Sequence, residues 1–195
     1  MAMFKRRELI FPWDVRTNRA NQFVIYTNQP FEFMLQLRDT NESASKKAGK
    51  PMEIASPGCL GPFGGGMYGN KKFDVSADER FETELGVSLT SLMSSGVVDV
   101  FYAGRTYEPT LDRGQFLSLD ECHNYGVEVY NKEKFDELIE LKEGAGMPWY
   151  TPDEIGKMAT ENAIPRGHSG PIITPTWKKL LIAFYMKVGE KSLAK

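Results

Sequence analysis

The chain has 195 residues, 41% of them hydrophobic, and 24 lysines and arginines against 26 aspartates and glutamates give a formal net charge of −2. This length suits one domain with its own core, and the balanced charge excludes a generic nucleic-acid-coating protein and an acidic tail protein. Aromatic residues make up 12%, beside 18 glycines and 11 prolines, so large apolar side chains alternate with many turn-forming residues.

The N-terminal segment is basic, and its apolar run at residues 9–11 is shorter than the core of a signal peptide. No later stretch reaches the roughly 18 apolar residues that a membrane-spanning helix needs. We therefore expect a soluble protein of the cytoplasm or of a virion. Residues 1–20 are predicted to form an extended arm, and residues 21–195 a single domain.

Residues 22–37 predict a β-hairpin, because two runs of strand-forming residues flank Asn28-Gln29-Pro30. In the second run Phe31, Phe33 and Leu35 share one face, which indicates a half-buried strand. Pro30 lacks an N–H and belongs at the start of that strand.

Residues 39–72 are polar at first and then rich in glycine and proline, which predicts a long loop, either ordered or bound to a partner. The glycines of residues 58–69 also suggest a phosphate-binding loop. That interpretation is weak, because the segment lacks the Gly-Lys-Ser/Thr ending and no apolar strand leads into it.

Ser76 and Glu79 have the spacing of a capping box, and apolar residues from Phe81 onward predict a helix that ends near Gly96. The same apolar residues also fit the period of a strand, and Gly86 weakens a helix. The other expected elements are strands at 97–102, 116–119 and 127–130, and helices from Asn131 to Glu143, from Thr151 to before Pro165, and from Thr174 onward. Together these elements predict an α+β fold with a β-rich N-terminal half and helices concentrated in the C-terminal third.

The last helix is predicted to be apolar on two sides. Trp177, Leu181 and Phe184 lie on one stripe, and Ile182 and Met186 lie opposite. A surface helix needs only one apolar face, so we expect this helix to be central or shared with another subunit.

A cysteine-dependent hydrolase or transferase is one candidate function, with Cys122 or Cys59 as nucleophile and His168 as its base. Two cysteines are too few for a disulfide scaffold, and no local signature supports catalysis, so a structural role for both is the simpler reading. A metal site from Glu121, Cys122, His123 and His168 has suitable ligand types but unfavourable spacing, and we predict no metal and no cofactor.

The function we favour from the sequence is a non-enzymatic structural or interaction subunit of a larger assembly, with a virion component or an accessory subunit as versions of it. Its partners would be other protein subunits, identical or different, and it would not bind a membrane. A single-stranded nucleic-acid-binding protein is the other alternative, because basic ends lie near aromatic residues. The predicted interface residues are Phe4, Phe11, Trp13, Phe63, Tyr68, Trp177, Leu181, Phe184 and Tyr185.

Overall fold

The computed structural model of the chain describes residues 16–54, 56–67, 72–112 and 116–193. The strands are β1 (Arg16–Asn28), β2 (Phe31–Met34), β3 (Gln36–Leu37), β4 (Leu60–Gly61), β5 (Phe63–Gly66), β6 (Val98–Asp112), β7 (Phe116–Val129), β8 (Trp149–Tyr150), β9 (Ala159–Thr160) and β10 (Ile172–Ile173). The helices are α1 (Asn41–Ala48), α2 (Phe73–Leu85), α3 (Leu89–Ser94), α4 (Lys132–Leu138), α5 (Pro152–Lys157) and α6 (Pro175–Leu193).

A mixed sheet forms the centre of the molecule, with the strand order β6-β7-β1-β2-β8 and β5 paired to β1. β1 runs parallel to β7 and antiparallel to β2, and β6 and β7 form a long antiparallel pair. A smaller sheet has the order β3-β4-β10-β9. The predicted α+β class is therefore confirmed, and so is the hairpin over residues 22–37.

The core has two parts, one on each face of the central sheet. Alternate residues of β1 supply both, since successive strand side chains point to opposite faces. Phe23 and Ile25 pack with α2 and α3, whereas Val24 and Tyr26 pack with α5 and α6. The sheet therefore offers two separate surfaces on which a site can be built.

Helix α2 begins earlier than the sequence predicted. Lys72 is its N-cap and makes no side-chain capping bond, whereas Ser76 is buried within the helix and accepts a hydrogen bond of 3.0 Å from the amide of Asn21. The helix ends at Gly86, whose φ of 72° is left-handed, and Ser88 then caps α3. The predicted continuous helix is thus two helices.

The predicted loop at 39–72 contains regular structure. Thr40 caps α1 through a bond from the Ser43 amide, and Gly49 ends it with a φ of 66°. β4 joins the smaller sheet, and β5 pairs with β1 in the central sheet. Local composition does not reveal such pairing, because the partners lie far away in the chain.

Two C-terminal predictions are confirmed, and two others need correction. The capping box of Thr151 and Glu154 opens α5, and α6 follows Thr174. α4 ends at Leu138, short of Glu143, and the strands predicted at 116–119 and 127–130 belong to the single strand β7. Among the described residues, no helix has the length and apolar character to cross a membrane.

Candidate functional site

A groove of about 470 Å³ lies between α6 and the strands β6 and β7, and we call it the α6 cleft. Its sheet side includes Val24, Thr106 and Asn124, and its helix side includes Leu180 and Phe184. The walls are thus mainly apolar, with a few polar groups. This combination is typical of small-molecule sites.

Asn124 in the wall of the cleft and Gln22 beside it on β1 are two amides whose oxygens have no hydrogen-bond partner among the described residues. The amide nitrogen of Asn124 donates to the Thr106 hydroxyl at 3.3 Å and to nearby backbone carbonyls, but its Oδ1 is buried and has no partner in the part of the chain that the structure describes. Gln22 lies beside Asn124 in the parallel register of β1 and β7, and its Oε1 is also buried without a partner among those residues. Unpaired buried acceptors are costly, so this place favours a ligand that brings N–H donors.

The helix side of the cleft adds an aromatic surface and a cation. The Phe184 ring lies with its centroid 5.2 Å from that of Tyr26 and stacks on Phe101 at 6.1 Å. Lys187, one turn further along α6, is exposed at the rim. A planar apolar group can pack in the cleft while Lys187 meets a negative charge outside it.

A second polar cluster, the Arg80 cluster, lies on the opposite face, beside α2. The guanidinium of Arg80 donates to the Glu84 carboxylate, to a Glu143 carboxylate oxygen at 2.9 Å and to the carbonyl of Gly64 at 3.4 Å. Gln36 donates to the other Glu84 oxygen at 2.7 Å and to the Glu143 carbonyl at 3.1 Å. These bonds tie the end of α2 to β3, to β5 and to the segment after α4.

Glu84 is only 1% exposed, so its carboxylate depends on these partners. Burial raises its pKa, while the charge of Arg80 and the hydrogen bond from Gln36 act in the opposite direction. The pair has the i, i+4 spacing of a helical ion pair. It differs from a surface pair because desolvation makes the loss of either partner costly.

A third group, around His123, also lies on the α2 face. The His123 ring stacks on Phe73 with centroids 3.2 Å apart, and the guanidinium of Arg19 lies 4.0 Å from the Phe73 centroid. Glu121 Oε1 is 3.3 Å from His123 Nε2 and 3.5 Å from a nitrogen of Arg105. This carboxylate and imidazole pair faces away from the α6 cleft.

Comparison with known structures decides what kind of fold carries these groups. The MutT protein from Methanosarcina mazei Go1 is similar over 90% of this chain and 97% of its own, with a TM-score of 0.56 and 12% identity. A MutT Nudix hydrolase from Burkholderia pseudomallei gives 0.52 over 85% and 96%, at 11% identity. The Nudix domain of Shewanella oneidensis NrtR, complexed with ADP ribose, gives 0.54 over 90% and 89%, at 11% identity.

The chain has the Nudix fold. No protein-family profile and no curated protein matches its sequence. The resemblance is thus one of architecture, and it extends over nearly the whole length of these structures.

This finding corrects the function expected from the sequence. A non-enzymatic structural or interaction subunit, in a virion or elsewhere, was the wrong expectation, because the Nudix fold is shared here with proteins named as hydrolases. One physical basis of that expectation also fails. The segment 39–72, predicted to be a long loop that is ordered or bound to a partner, contains α1, β4 and β5, and the two strands pair into the sheets.

The predicted cysteine site finds no support in the described contacts of Cys59 and His168. Cys59 is buried, and its sulfur lies 3.7 Å from a carboxylate oxygen of Glu161. Burial raises the pKa of the thiol most, and the negative charge of Glu161 raises it further. A cysteine nucleophile needs the opposite shift. His168 lies in the loop before β10 and contacts the carbonyl of Pro171 at 3.4 Å, while Cys122 is buried in β7.

The alternative metal site is not assembled in the part of the chain that the structure describes. No three histidine, cysteine, aspartate or glutamate side chains come together there in a way that could hold an ion. Glu121 and His123 share one face of β7, whereas the adjacent Cys122 points to the other.

The predicted interface residues are distributed between the core and the surface. Phe63, Trp177 and Leu181 are buried, Phe184 borders the α6 cleft, and Tyr185 is 38% exposed. Phe4, Phe11, Trp13 and Tyr68 lie outside the described residues. Contact of these side chains with partner subunits stays a prediction.

The sequence analysis did not single out Arg80 and Glu84 of the Arg80 cluster, or Gln22 and Asn124 at the α6 cleft. Arg80 and Glu84 could have been found from their i, i+4 spacing, since Glu84 also falls next to the apolar stripe of α2. Gln22 and Asn124 carry no comparable pattern. They become neighbours only through the parallel pairing of β1 with β7.

Proposed function

We propose that this Nudix-fold chain is a hydrolase that binds a nucleotide-type substrate and cleaves its phosphate linkage. The observation that carries the proposal is the similarity to a MutT protein and a MutT Nudix hydrolase over 96–97% of their chains. The NrtR domain, which has the same fold, is complexed with ADP ribose, so this fold can take a nucleotide-type ligand. Low sequence identity leaves the substrate to be argued from the site itself.

The α6 cleft is the place where we put the base of the nucleotide. Its volume of about 470 Å³ falls in the range of roughly 300–1,000 Å³ that ligand pockets occupy. The unpartnered oxygens of Asn124 and Gln22 can accept hydrogen bonds from the amino group of a base, and Phe184 offers a ring to pack against. Lys187 at the rim can meet a phosphate, because its ammonium carries a positive charge beyond the apolar wall.

Enzymes that cleave phosphate linkages commonly use a divalent cation as cofactor, most often Mg²⁺ held by carboxylates and by the substrate's phosphates. The described residues do not fit such an ion. No acidic or histidine triplet is present among them, and the buried carboxylate of Glu84 is already held by Arg80 and Gln36. We therefore assign no reaction step to a bound metal.

The test combines binding with turnover. Purified protein is titrated by calorimetry with ADP ribose and with nucleoside triphosphates, and product formation is followed by ³¹P NMR, both with Mg²⁺ and with EDTA. We expect at least one of these compounds to bind and to be cleaved. Binding without cleavage would contradict hydrolysis, and no binding at millimolar concentration would contradict the whole proposal.

Gln22→Leu locates the ligand. The substitution removes an oxygen that has no partner among the residues the structure describes, so folding should be unaffected while one hydrogen bond to the ligand is lost. We expect binding to weaken by about tenfold, since such a bond contributes about 1.4 kcal/mol. Gln29→Leu, at the exposed end of the same hairpin, is the matched control and should bind like the wild type. Equal affinities for both variants would rule out the α6 cleft.

A further inference from the structure

In the Arg80 cluster, three oxygen atoms from different elements converge on one nitrogen. Nη2 of Arg80 contacts the Glu84 carboxylate, a Glu143 carboxylate oxygen at 2.9 Å and the Gly64 carbonyl at 3.4 Å. The three oxygens come from α2, from the segment after α4 and from β5. Their convergence is therefore a product of the tertiary fold and not of one local motif.

The position is enclosed on the Glu84 side, while the Glu143 side chain is 49% exposed. The side chain of Arg80 is 17% exposed and that of Glu84 is 1% exposed. A Cβ on Gly65 would lie 2.8 Å from Nη2, so the backbone of β5 approaches the guanidinium closely. Gln36 holds the second oxygen of Glu84 at 2.7 Å and fixes the orientation of that carboxylate.

Two carboxylates and a backbone carbonyl are the ligand types that hard divalent cations prefer. Here the amino group of an arginine takes the place that such an ion would occupy, and it brings its own fixed positive charge. We propose that Arg80 is the resident cation of this position and closes it to Mg²⁺ and Mn²⁺. The buried carboxylate of Glu84 is neutralised by a side chain of the same helix and not by a metal.

The inference does not depend on the proposed hydrolysis, because its readout is metal binding. Removal of the guanidinium leaves two carboxylates facing each other, and their repulsion favours uptake of a cation. We therefore expect Arg80→Ala to bind Mn²⁺ at least tenfold more tightly than the wild type, measured from loss of the free Mn²⁺ signal in electron paramagnetic resonance. Arg80→Met, which keeps much of the apolar stem, should gain affinity in the same direction.

Two controls make the expected gain specific. Arg105→Ala removes another arginine from a contact with a glutamate, Glu121 at 3.5 Å, and should gain no Mn²⁺ affinity. Arg80→Ala combined with Glu84→Gln should lose the gain, because the ligand carboxylate is then neutral. The same gain in the Arg105 variant, or a gain that survives in the double variant, would overturn the proposal.

The wild-type protein provides a direct test as well. Mn²⁺ binding by the wild type that Glu84→Gln abolishes would overturn the proposal, and so would an affinity in both Arg80 variants no higher than that of the wild type. A variant that is unfolded in EDTA is examined by circular dichroism after addition of Mn²⁺. Recovery of the fold supports a cation site opened by the substitution, and failure to recover contradicts it.

Discussion

Replacement of Glu84 by alanine is expected to destabilise the protein strongly. The side chain is 1% exposed, and it accepts hydrogen bonds from Gln36 and Arg80. Its removal deprives Arg80 of its most buried partner, and among the described residues it leaves the Gln36 amide nitrogen with the Glu143 carbonyl alone. Breaking a buried pair by deletion of one partner typically costs about 3–5 kcal/mol.

That cost is a large share of the roughly 5–15 kcal/mol by which a native domain is stable. For a chain of this length, each kcal/mol lowers the melting temperature by about 2–4 °C, so a fall of roughly 6–20 °C is expected. Thermal unfolding followed by circular dichroism measures the shift, and urea titration gives the free energy of unfolding independently. Glu84→Gln should fall between alanine and the wild type, because it keeps an acceptor for one of the two donors.

Glu82→Ala is the matched control, since Glu82 is exposed on the same helix. A surface substitution of this kind usually changes stability by no more than about 0.5 kcal/mol. The reasoning fails if Glu84→Ala costs no more than Glu82→Ala. Such a result would mean that water reaches the cluster and that Arg80 and Gln36 find other partners without loss.

Three further predictions concern other parts of the molecule. Burial acts to raise the pKa of Asp39, but hydrogen bonds and charge from Lys47 lower it overall. Its stabilising effect is therefore present above the unfolded pKa and lost as pH falls through the folded pKa, so Asp39→Asn should cost about 0.5–1 kcal/mol at pH 7 and progressively less in acid, measured by urea titrations. Gly64→Ala should disrupt the pairing of β5 with β1, because Gly64 has a φ of 131° and a Cβ there would lie 2.1 Å from a backbone oxygen. The control is Gly66→Ala, whose Cβ would meet open space, and similar melting temperatures for the two variants would refute this prediction. The thiol of Cys59 is 5% exposed and its pKa is raised. It should resist iodoacetamide at pH 7.5 in the native state and react after unfolding, and rapid labelling of the native protein would contradict this prediction.

The sequence predicted best the elements whose determinants are local. The hairpin at residues 22–37 follows from alternating apolar residues around a proline, and α5 follows from the reciprocal capping bonds of Thr151 and Glu154. The stripe of α6 also places Trp177 and Leu181 in the core as its period requires. In each case the residues that decide the structure lie close together along the chain, within the same helix or hairpin.

Tertiary contacts override local patterns elsewhere. Ser76 and Glu79 have capping-box spacing, yet Ser76 lies inside α2. Its buried hydroxyl accepts a hydrogen bond from the amide of Asn21 in β1 and does not cap the helix. The glycines of β5 suggest a loop by composition, but Gly64 is needed there because a backbone oxygen of β1 occupies the space of a Cβ. A glycine-rich segment can therefore be a strand when its neighbour approaches too closely for any side chain.

The candidate sites were hidden for the same reason. Asn21 and Gln22 are adjacent in the chain but point to opposite faces of the central sheet, one to α2 and the other to the side of the α6 cleft. Each amide gains its significance only from a distant element, α2 for Asn21 and β7 for Gln22. Because one strand serves both faces, polar residues in the middle of β1 interrupt its apolar pattern without revealing which surface they serve. The pairing of β1 with β7 supplies that information, and it is a property of the fold that no local window of this sequence contains.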